Sequence, residues 1–424
     1  MSNGSFGFPV AAERAFALGE VHARPYPLIT SPRVILQLAF MTDGGAGVDI
    51  AVLSELCRAR GVPAPRADVR HYVMAWGKGT LRWERHTEFS TYAYEGPVPP
   101  AFGGDIIGHP FAEGFSPPGN LISGVWLEVR EWTGEADDAL GSFDPASLCF
   151  SEVENGLAAA ITDFRQDKDG LTRILVLDRG LTPVRVGALA QRLIEIETYR
   201  TLAVLGLPLA LSLSPQIRRI EDRLTEITQT MRGNAEDGSE AMLGEITALA
   251  AELEAGAAAS LYRFGASRAY DGIVQERVAM LDEKPVAGYI GWGAFLRRRV
   301  APAIRTCRSI EERQDGLARR LSHATSLLRS WVDLQLERQN GELLASMNRR
   351  AKLQLRLQQT VEGLSVAAVS YYIVGLFGYV VKALHDPLGL PLSPTALTGA
   401  SVPFILVIIW LLVRRIRRHH GEPS

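Results

Sequence analysis

Two long stretches without a charged residue lie near the C-terminus of this 424-residue chain and constrain what it can fold into. Residues 364–381 and 395–413 contain no Asp, Glu, Lys or Arg. At about 1.5 Å per residue, each stretch approaches the thickness of a bilayer's hydrocarbon core. A hairpin of buried core helices is the alternative, but apolar runs in such helices are usually shorter. The sequence therefore predicts a transmembrane hairpin over residues 361–418, with spans at about 364–382 and 395–413.

The charges that flank the two spans predict their orientation. The loop between them carries only Lys382, His385 and Asp386. Basic residues precede the first span and follow the second: Arg349, Arg350, Lys352, Arg356, Arg414, Arg415, Arg417 and Arg418. Because cytoplasmic flanks are enriched in Lys and Arg, we expect both termini in the cytoplasm. The first twenty residues show no signal-peptide pattern, which agrees with an N-terminal region that stays inside.

The rest of the chain has the composition of a soluble protein. Its 45 Lys and Arg balance 47 Asp and Glu, so a wholly basic nucleic-acid binder is excluded and no nucleic-acid partner is expected. The cysteines Cys57, Cys149 and Cys307 are odd in number and far apart, which argues against a disulfide framework or a zinc ribbon. No H-E-x-x-H or G-x-S-x-G motif is present. We therefore expect no enzyme and no cofactor, while a divalent cation stays open as a ligand.

Hydrophobic periodicity divides the soluble part in two. Residues 1–180 alternate short strand and helix patterns, which predicts a mixed α/β domain. Strand candidates are 33–41, 69–76, 81–94 with a turn near His86, 122–130, 157–164 and 172–177, and helix candidates are 9–20 and 48–60. Thr182 and Pro183 mark a helix start, and nearly all of residues 181–360 is expected to be helical, with no strand. The predicted fold class is α+β, with an N-terminal cytoplasmic mixed α/β domain, an antiparallel helical and coiled-coil stalk, and the C-terminal transmembrane hairpin.

A heptad repeat runs through the last part of the helical region. Its positions alternate by four and three residues from Leu296 to Trp331, and Gln314 is the one polar exception. No proline lies between Pro302 and Pro387, so we expect one helix to continue into the first span. The repeat fits two packings: a coiled coil between copies of the chain, or a long helix inside a bundle of one chain.

Four segments resemble those of one bacterial protein family. They are E-V-H-A-R-P-Y-P at 20–27, L-R-W-E-R-H-T-E-F at 81–89, L-E-R-Q-N at 336–340 and Q-L-R-L-Q-Q-T-V-E-G-L-S at 354–365. The family is catalogued only as a domain of unknown function and is described as membrane-anchored. The resemblance covers nearly the whole chain and implies a multi-pass protein of the bacterial inner membrane, with the lipid bilayer as a partner.

The order of the parts is also similar to that of the CorA-type magnesium transporters, as is S-M-N at 346–348. This resemblance implies a homo-oligomeric ion channel or transporter gated by its cytoplasmic domain. The Gly-Met-Asn motif at the outer end of the first span is absent, and G-Y-V stands at 378–380. A membrane-tethered binding, sensor or scaffold protein without conduction is the second alternative, and a membrane-anchored enzyme is the third and weakest.

A stripe of polar and small residues recurs at seven-residue spacing in the first span. Such a stripe is typical of a pore face or of a close helix interface, although tyrosines near span ends also serve as interfacial anchors. The predicted pore face consists of Glu362 at the cytoplasmic edge, then Ser365, Tyr372, Gly375 and Tyr379, and Lys382 at the outer edge.

A second candidate site lies in the α/β domain. His22, Arg24, Arg85, His86 and Glu88 are predicted to converge on a small anionic or ionic ligand, since guanidinium groups suit phosphate and carboxylate. Polar contacts specific to the fold are the alternative for these residues.

Overall fold

The chain folds into a mixed α/β architecture with one nine-stranded sheet and several long helices, as the sequence predicts. The computed structural model describes residues 11, 13–14, 17–18, 26–42, 46–112, 114–133, 139–233, 238–388 and 393–420. The strands are β1 (Arg33–Met41), β2 (His71–Trp76), β3 (Gly79–Arg85), β4 (Phe89–Gly96), β5 (Leu121–Glu131), β6 (Cys149–Val153), β7 (Ala158–Gln166), β8 (Thr172–Asp178) and β9 (Lys284–Pro285). The helices are α1 (Ala46–Ala59), α2 (Pro183–Val204), α3 (Gly206–Gly233), α4 (Ser239–Ala279), α5 (Trp292–Arg299), α6 (Ala301–Leu388) and α7 (Pro394–His420).

The strands lie in the order β2-β3-β4-β1-β5-β8-β7-β6-β9. Neighbours are antiparallel except β5 and β8, which run parallel. The six strand candidates are confirmed, and the turn near His86 separates β3 from β4. Strand β6 was not predicted. The expectation that residues 181–360 contain no strand is wrong at β9, which lies between two helices and pairs with β6.

Helices cover both faces of the sheet, because alternate side chains of each strand point to opposite faces. On one face, α1 packs Leu53 and Cys57 against Trp83 and Tyr92 of the strands. On the other face, α2 and α5 pack against β5, β7 and β8, with Leu193 and Trp292 in the core. The indole Nε1 of Trp292 donates to the carbonyl oxygen of Ala160 at 3.2 Å.

The chain divides into two compact units, and the first contains the sheet with the described residues of 1–233 and 241–325. In this unit the heptad positions of α6 are buried within the chain. Arg313 of α6 donates to Glu221 of α3 at 2.6 Å, and Ser260 of α4 donates to the Gln314 side chain at 3.3 Å. In these contacts α6 packs against other helices of the same chain. This is the bundle within one chain, one of the two packings that the heptad repeat fits.

The second unit comprises residues 234–240 and 326–424, of which the described residues of α6 and α7 form the main part. Every residue of α6 from 333 to 361 is exposed. Further along, α6 and α7 pack against each other, and Ser370, Val381 and Ile409 are buried between them. A Cβ atom on Gly378 would lie 3.2 Å from Thr398 of α7, so this glycine allows a close helix contact.

Candidate functional site

A cavity of about 90 Å³ lies between the sheet and helix α2. Ala93 of β4 forms the middle of its floor and is paired with Gln37 of β1 and Arg82 of β3. An alanine leaves space at a point where both neighbours carry long side chains. The cavity has room for several water molecules or one small organic molecule.

Two groups of opposite charge line this cavity without pairing with each other. Arg82 forms neither a hydrogen bond nor an ion pair with any residue that the structure describes. Glu95 has Arg33 as its ion-pair partner, with 3.6 Å between Nε and Oε1. Burial raises the pKa of Glu95, while Arg33 and Arg82 oppose that rise. The cavity therefore offers a cation and a carboxylate to a ligand.

The other carboxylates of the cavity have partners close by. Glu195 of α2 accepts from Arg277 at 2.5 Å. Glu84 lies 3.9 Å from the Nε2 atom of His71 on the neighbouring strand. Glu95 is paired as well, with Arg33, so Arg82 is the charged group of the cavity that has no ion-pair partner in the described residues.

Helix α2 supplies an acceptor with no donor. The amide nitrogen of Gln191 donates to Glu195 at 2.9 Å, but the Gln191 Oε1 atom is buried and has no hydrogen-bond partner in the described part of the chain. Two turns further along the helix, Thr198 accepts from Gln37 at 3.1 Å. A buried acceptor without a donor is costly, so the Gln191 oxygen would gain from a ligand or water that carries an N–H or O–H group.

The structure separates the residues that the sequence grouped as a cytoplasmic polar site. His22 and Arg24 lie outside the described residues. Arg85 is on the α1 face of the sheet, where its charge lowers the pKa of Asp49 against the effect of burial. His86 lines the cavity and stacks on Phe89, with 4.2 Å between ring centroids.

Glu88, the fifth residue of that group, connects the turn after β3 to helix α4. It accepts from Arg263 at 3.1 Å and from the hydroxyl of Tyr262 at 3.4 Å. Glu88 thus makes polar contacts within the fold, which is the alternative to ligand binding that the sequence analysis gave for these five residues.

The sequence analysis did not predict the cavity, because the residues that line it on β3 have the pattern of a strand face exposed to water. Thr80, Arg82, Glu84 and His86 occupy every second position of β3 and the turn after it. Alternating polar residues usually face water. The helix that covers this face begins about a hundred residues later, at Pro183, and no local pattern indicates that it returns to these strands.

A second buried polar cluster lies beneath α1 on the opposite face of the sheet. The hydroxyl groups of Ser90 and Tyr92 donate to Asp49 Oδ1, at 2.6 Å and 3.4 Å respectively. All three side chains are buried. Asp49 Oδ2 and Trp83 Nε1 have no hydrogen-bond partner in the residues described. Burial raises the pKa of both Asp49 and Tyr92. Elsewhere in the described ranges, no group of three or more His, Cys, Asp or Glu could hold a metal ion.

Three helical stretches of the described chain are long and apolar enough to cross a membrane: Pro183–Gly233, Trp292–Leu384 and Pro394–Arg415. The most apolar window of the first is 44% buried, against 11% and 6% for the other two. Within this stretch, α2 packs against the sheet and α3 contacts α4 and α6, which accounts for its buried apolar residues. The other two contain the spans that the sequence predicts.

The predicted pore face lies largely on the side of α6 that points away from α7. Ser365 is exposed, and Tyr372 and Tyr379 are 70% and 76% exposed. At 3.6 residues per turn, these positions lie opposite Ser370 and Val381, which pack against α7. The remaining members, Glu362, Gly375 and Lys382, flank that side, and a Cβ atom on Gly375 would have no neighbour within 4 Å.

The same side of α6 carries exposed apolar residues before the predicted span. Leu336, Leu343, Met347, Leu357 and Val361 are between 52% and 66% exposed. With 3.6 residues per turn, they lie within about 60° of the line through Ser365, Tyr372 and Tyr379. We call these eight residues the α6 stripe.

The fold and the site can be compared with known proteins. No curated protein matches the chain, and no solved structure matches it. A family model described as "Protein of unknown function (DUF3422)" matches residues 10–420. The chain therefore belongs to this family.

Proposed function

We propose that this chain is a homo-oligomeric protein of the bacterial inner membrane in which the α6 stripes of several copies surround a common axis and form a pathway for ions. Both termini and the α/β domain lie in the cytoplasm, and the domain gates the pathway through α6. The architecture is the CorA-like one that the sequence suggests, with spans near 364–382 and 395–413.

The observation that supports this proposal is the polarity of the α6 stripe. Before the first predicted span, the side of α6 that bears the stripe presents exposed apolar residues among polar ones such as Gln354, whereas inside the span it carries the hydroxyls of Ser365, Tyr372 and Tyr379. A face in contact with water is expected to be polar, and a face in contact with lipid is expected to be apolar. Exposed leucines are poorly suited to water, and hydroxyl groups are poorly suited to lipid, so both parts of the stripe favour contact with protein. Other copies of the same helix suit both parts.

The apolar part of the α6 stripe forms the contact between copies. A single helix with exposed leucines in water is marginal, and tertiary or quaternary packing normally stabilises it. Leu343 and Leu357 are two heptads apart, a spacing that suits helices that pack along a shared seam.

The polar part of the α6 stripe lines the pathway for ions. Rings of hydroxyls from Ser365, Tyr372 and Tyr379 replace part of an ion's hydration shell. Lys382 at the outer mouth disfavours cations, and the Gly-Met-Asn motif is absent, so we do not assign magnesium as the ion.

Single cysteine substitutions test the assembly. Cysteines at Leu343, Leu357, Tyr372 and Tyr379 are expected to cross-link between copies in membranes. Leu334→Cys is the matched control in the exposed segment, since Leu334 is exposed at 49% but lies off the stripe. Val381→Cys is the control inside the span, since α7 covers Val381. Equal cross-linking at control and stripe positions would contradict the arrangement.

Ion flux into liposomes that contain the purified protein tests the pathway. We expect Tyr372→Cys to lose flux after treatment with a water-soluble thiol reagent, and Ser370→Cys on the α7 side to keep it. If the stripe cross-links and no ion passes, the second candidate applies, which is a membrane-tethered binding or sensor protein without conduction. The cavity under α2 is the observation that favours this candidate.

A further inference from the structure

The cavity under α2 contains three features that a ligand could use. Arg82 has no ion-pair partner in the described residues, Glu95 is paired with Arg33 at 3.6 Å, and the buried oxygen of Gln191 has no hydrogen-bond partner there. We propose that this cavity binds a small α-amino acid as a zwitterion, with its carboxylate on Arg82 and its ammonium group directed toward Glu95 and Gln191 Oε1. The proposal concerns the α/β domain alone and goes beyond the assembly proposed above.

The guanidinium group of Arg82 favours an anionic ligand. It is partly buried, and it has no hydrogen-bond or ion-pair partner in the described part of the chain. A guanidinium group binds a carboxylate through two parallel N–H···O bonds. The carboxylates Glu84, Glu95 and Glu195 line the same cavity and would repel a ligand with negative charge only. A ligand that carries both charges meets both conditions.

The separation of the two charges suits a small zwitterion. Arg82 is in register with Ala93, so Glu95 is its diagonal neighbour on the adjacent strand. Diagonal neighbours of this kind are about 7–8 Å apart, and the charged ends of an α-amino acid fit between two such side chains. Thr80, directly opposite Glu95, adds a hydroxyl at that end of the cavity.

Gln191 distinguishes between classes of zwitterion. Its buried oxygen accepts hydrogen bonds and cannot donate them, so it is satisfied by an ammonium N–H and not by a quaternary ammonium group. The cavity of about 90 Å³ accommodates a ligand with a small side chain. Glycine, alanine and serine are therefore the expected size class.

Calorimetric titration of the full-length protein in detergent tests the proposal. The probes are glycine, L-alanine and L-serine, each compared with propionate, ethylamine and glycine betaine, which lack the ammonium group, the carboxylate and the N–H donors respectively. We expect at least one of the three amino acids to bind, and the three comparison compounds to bind at least about 10-fold more weakly. Absence of binding by all three amino acids, or equal binding of glycine betaine, would overturn the proposal.

Variants of the cavity locate the site. Arg82→Met and Gln191→Leu are each expected to weaken binding by about 10-fold or more, and Ala93→Leu is expected to abolish binding by filling the floor. Arg66→Met is the matched control, because the Arg66 side chain is 85% exposed and pairs with Asp68. Circular dichroism and thermal unfolding of each variant establish that the fold is kept. Binding that survives Ala93→Leu in a folded protein would place the ligand elsewhere and contradict the proposal.

The two proposals have separate readouts. Cross-linking along the α6 stripe does not depend on an amino acid in the cavity, and calorimetric binding does not depend on conduction. A chain that cross-links and passes ions without binding an amino acid would contradict only the inference about the cavity.

Discussion

Asp49 is a buried carboxylic acid with only part of its hydrogen-bonding capacity used. Ser90 and Tyr92 donate to Oδ1, while Oδ2 has no partner within the described residues. Loss of solvation raises its pKa, and the charge of Arg85 and the two donors oppose that rise. A raised pKa in the folded state means that the folded chain binds more protons than the unfolded chain at pH values above the ordinary pKa of about 4.

This pKa predicts how stability depends on pH. As the pH rises through the interval between the ordinary and the raised pKa, the contribution of Asp49 to the free energy of unfolding decreases. Asp49→Asn keeps an acceptor for Ser90 and cannot ionise, so it is expected to lack this decrease. Thermal unfolding of the detergent-solubilised chain between pH 4 and pH 8 measures it. Unfolding temperatures that stay parallel for wild type and variant over this range would contradict the assignment.

Glu283 holds the start of helix α5 through three hydrogen bonds. Its carboxylate accepts from the backbone N–H groups of Trp292 at 2.8 Å and Gly293 at 2.7 Å, and from the Ser151 hydroxyl at 2.7 Å. A carboxylate at a helix N-terminus satisfies free N–H groups and interacts favourably with the helix dipole. The residue thereby ties α5 to the edge of the sheet.

Glu283→Ala is expected to lower the free energy of unfolding by about 1–3 kcal/mol, because buried N–H groups lose their acceptor. Glu254→Ala on the exposed side of α4 is the control and is expected to change stability little. Thermal or denaturant unfolding of the full chain compares the two variants. A similar loss in both would mean that the helix start contributes nothing specific.

At the scale of elements, α6 has two parts with different partners. Leu317 is 2% exposed in the bundle formed with α3 and α4, whereas Leu343 is 59% exposed. Both positions are apolar in the sequence. The sequence pattern does not show whether such a position packs against the same chain or against another copy.

Aspartate substitutions at these two positions are expected to have different effects. Leu317→Asp buries an unpaired carboxylate and is expected to cost about 3–5 kcal/mol of folding free energy. Leu343→Asp is expected to leave the bundle folded and to dissociate the oligomer. Thermal unfolding and light scattering in mild detergent measure the two effects separately. A wild-type chain that is monomeric in mild detergent would remove the basis for the second expectation.

At the scale of the whole molecule, the flanking charges predict the topology. Both termini are expected in the cytoplasm, and only the loop between the spans, about residues 382–394, is expected on the far side. Reporter proteins fused before Met1 and after Ser424 measure this directly, and a fusion in the loop is the positive control for export. An exported signal from either terminus would contradict the topology.

The sequence by itself determined most of the elements of this protein. Six strand segments, helix α1 and the start of α2 follow from alternation, periodicity and the Thr182–Pro183 pair, because these signals are local. The apolar positions of α6 and the polar positions in its span also follow from periodicity alone.

Only the tertiary structure decided which of these elements meet. The position of α2 over β3 and β4 encloses Arg82 and Glu95 in a cavity, although both residues look solvated in the sequence. The same kind of contact assigns Leu317 to a bundle within the chain. These pairings join residues that are distant in the sequence, and long-range contacts depend on how whole faces fit together, which no local pattern encodes.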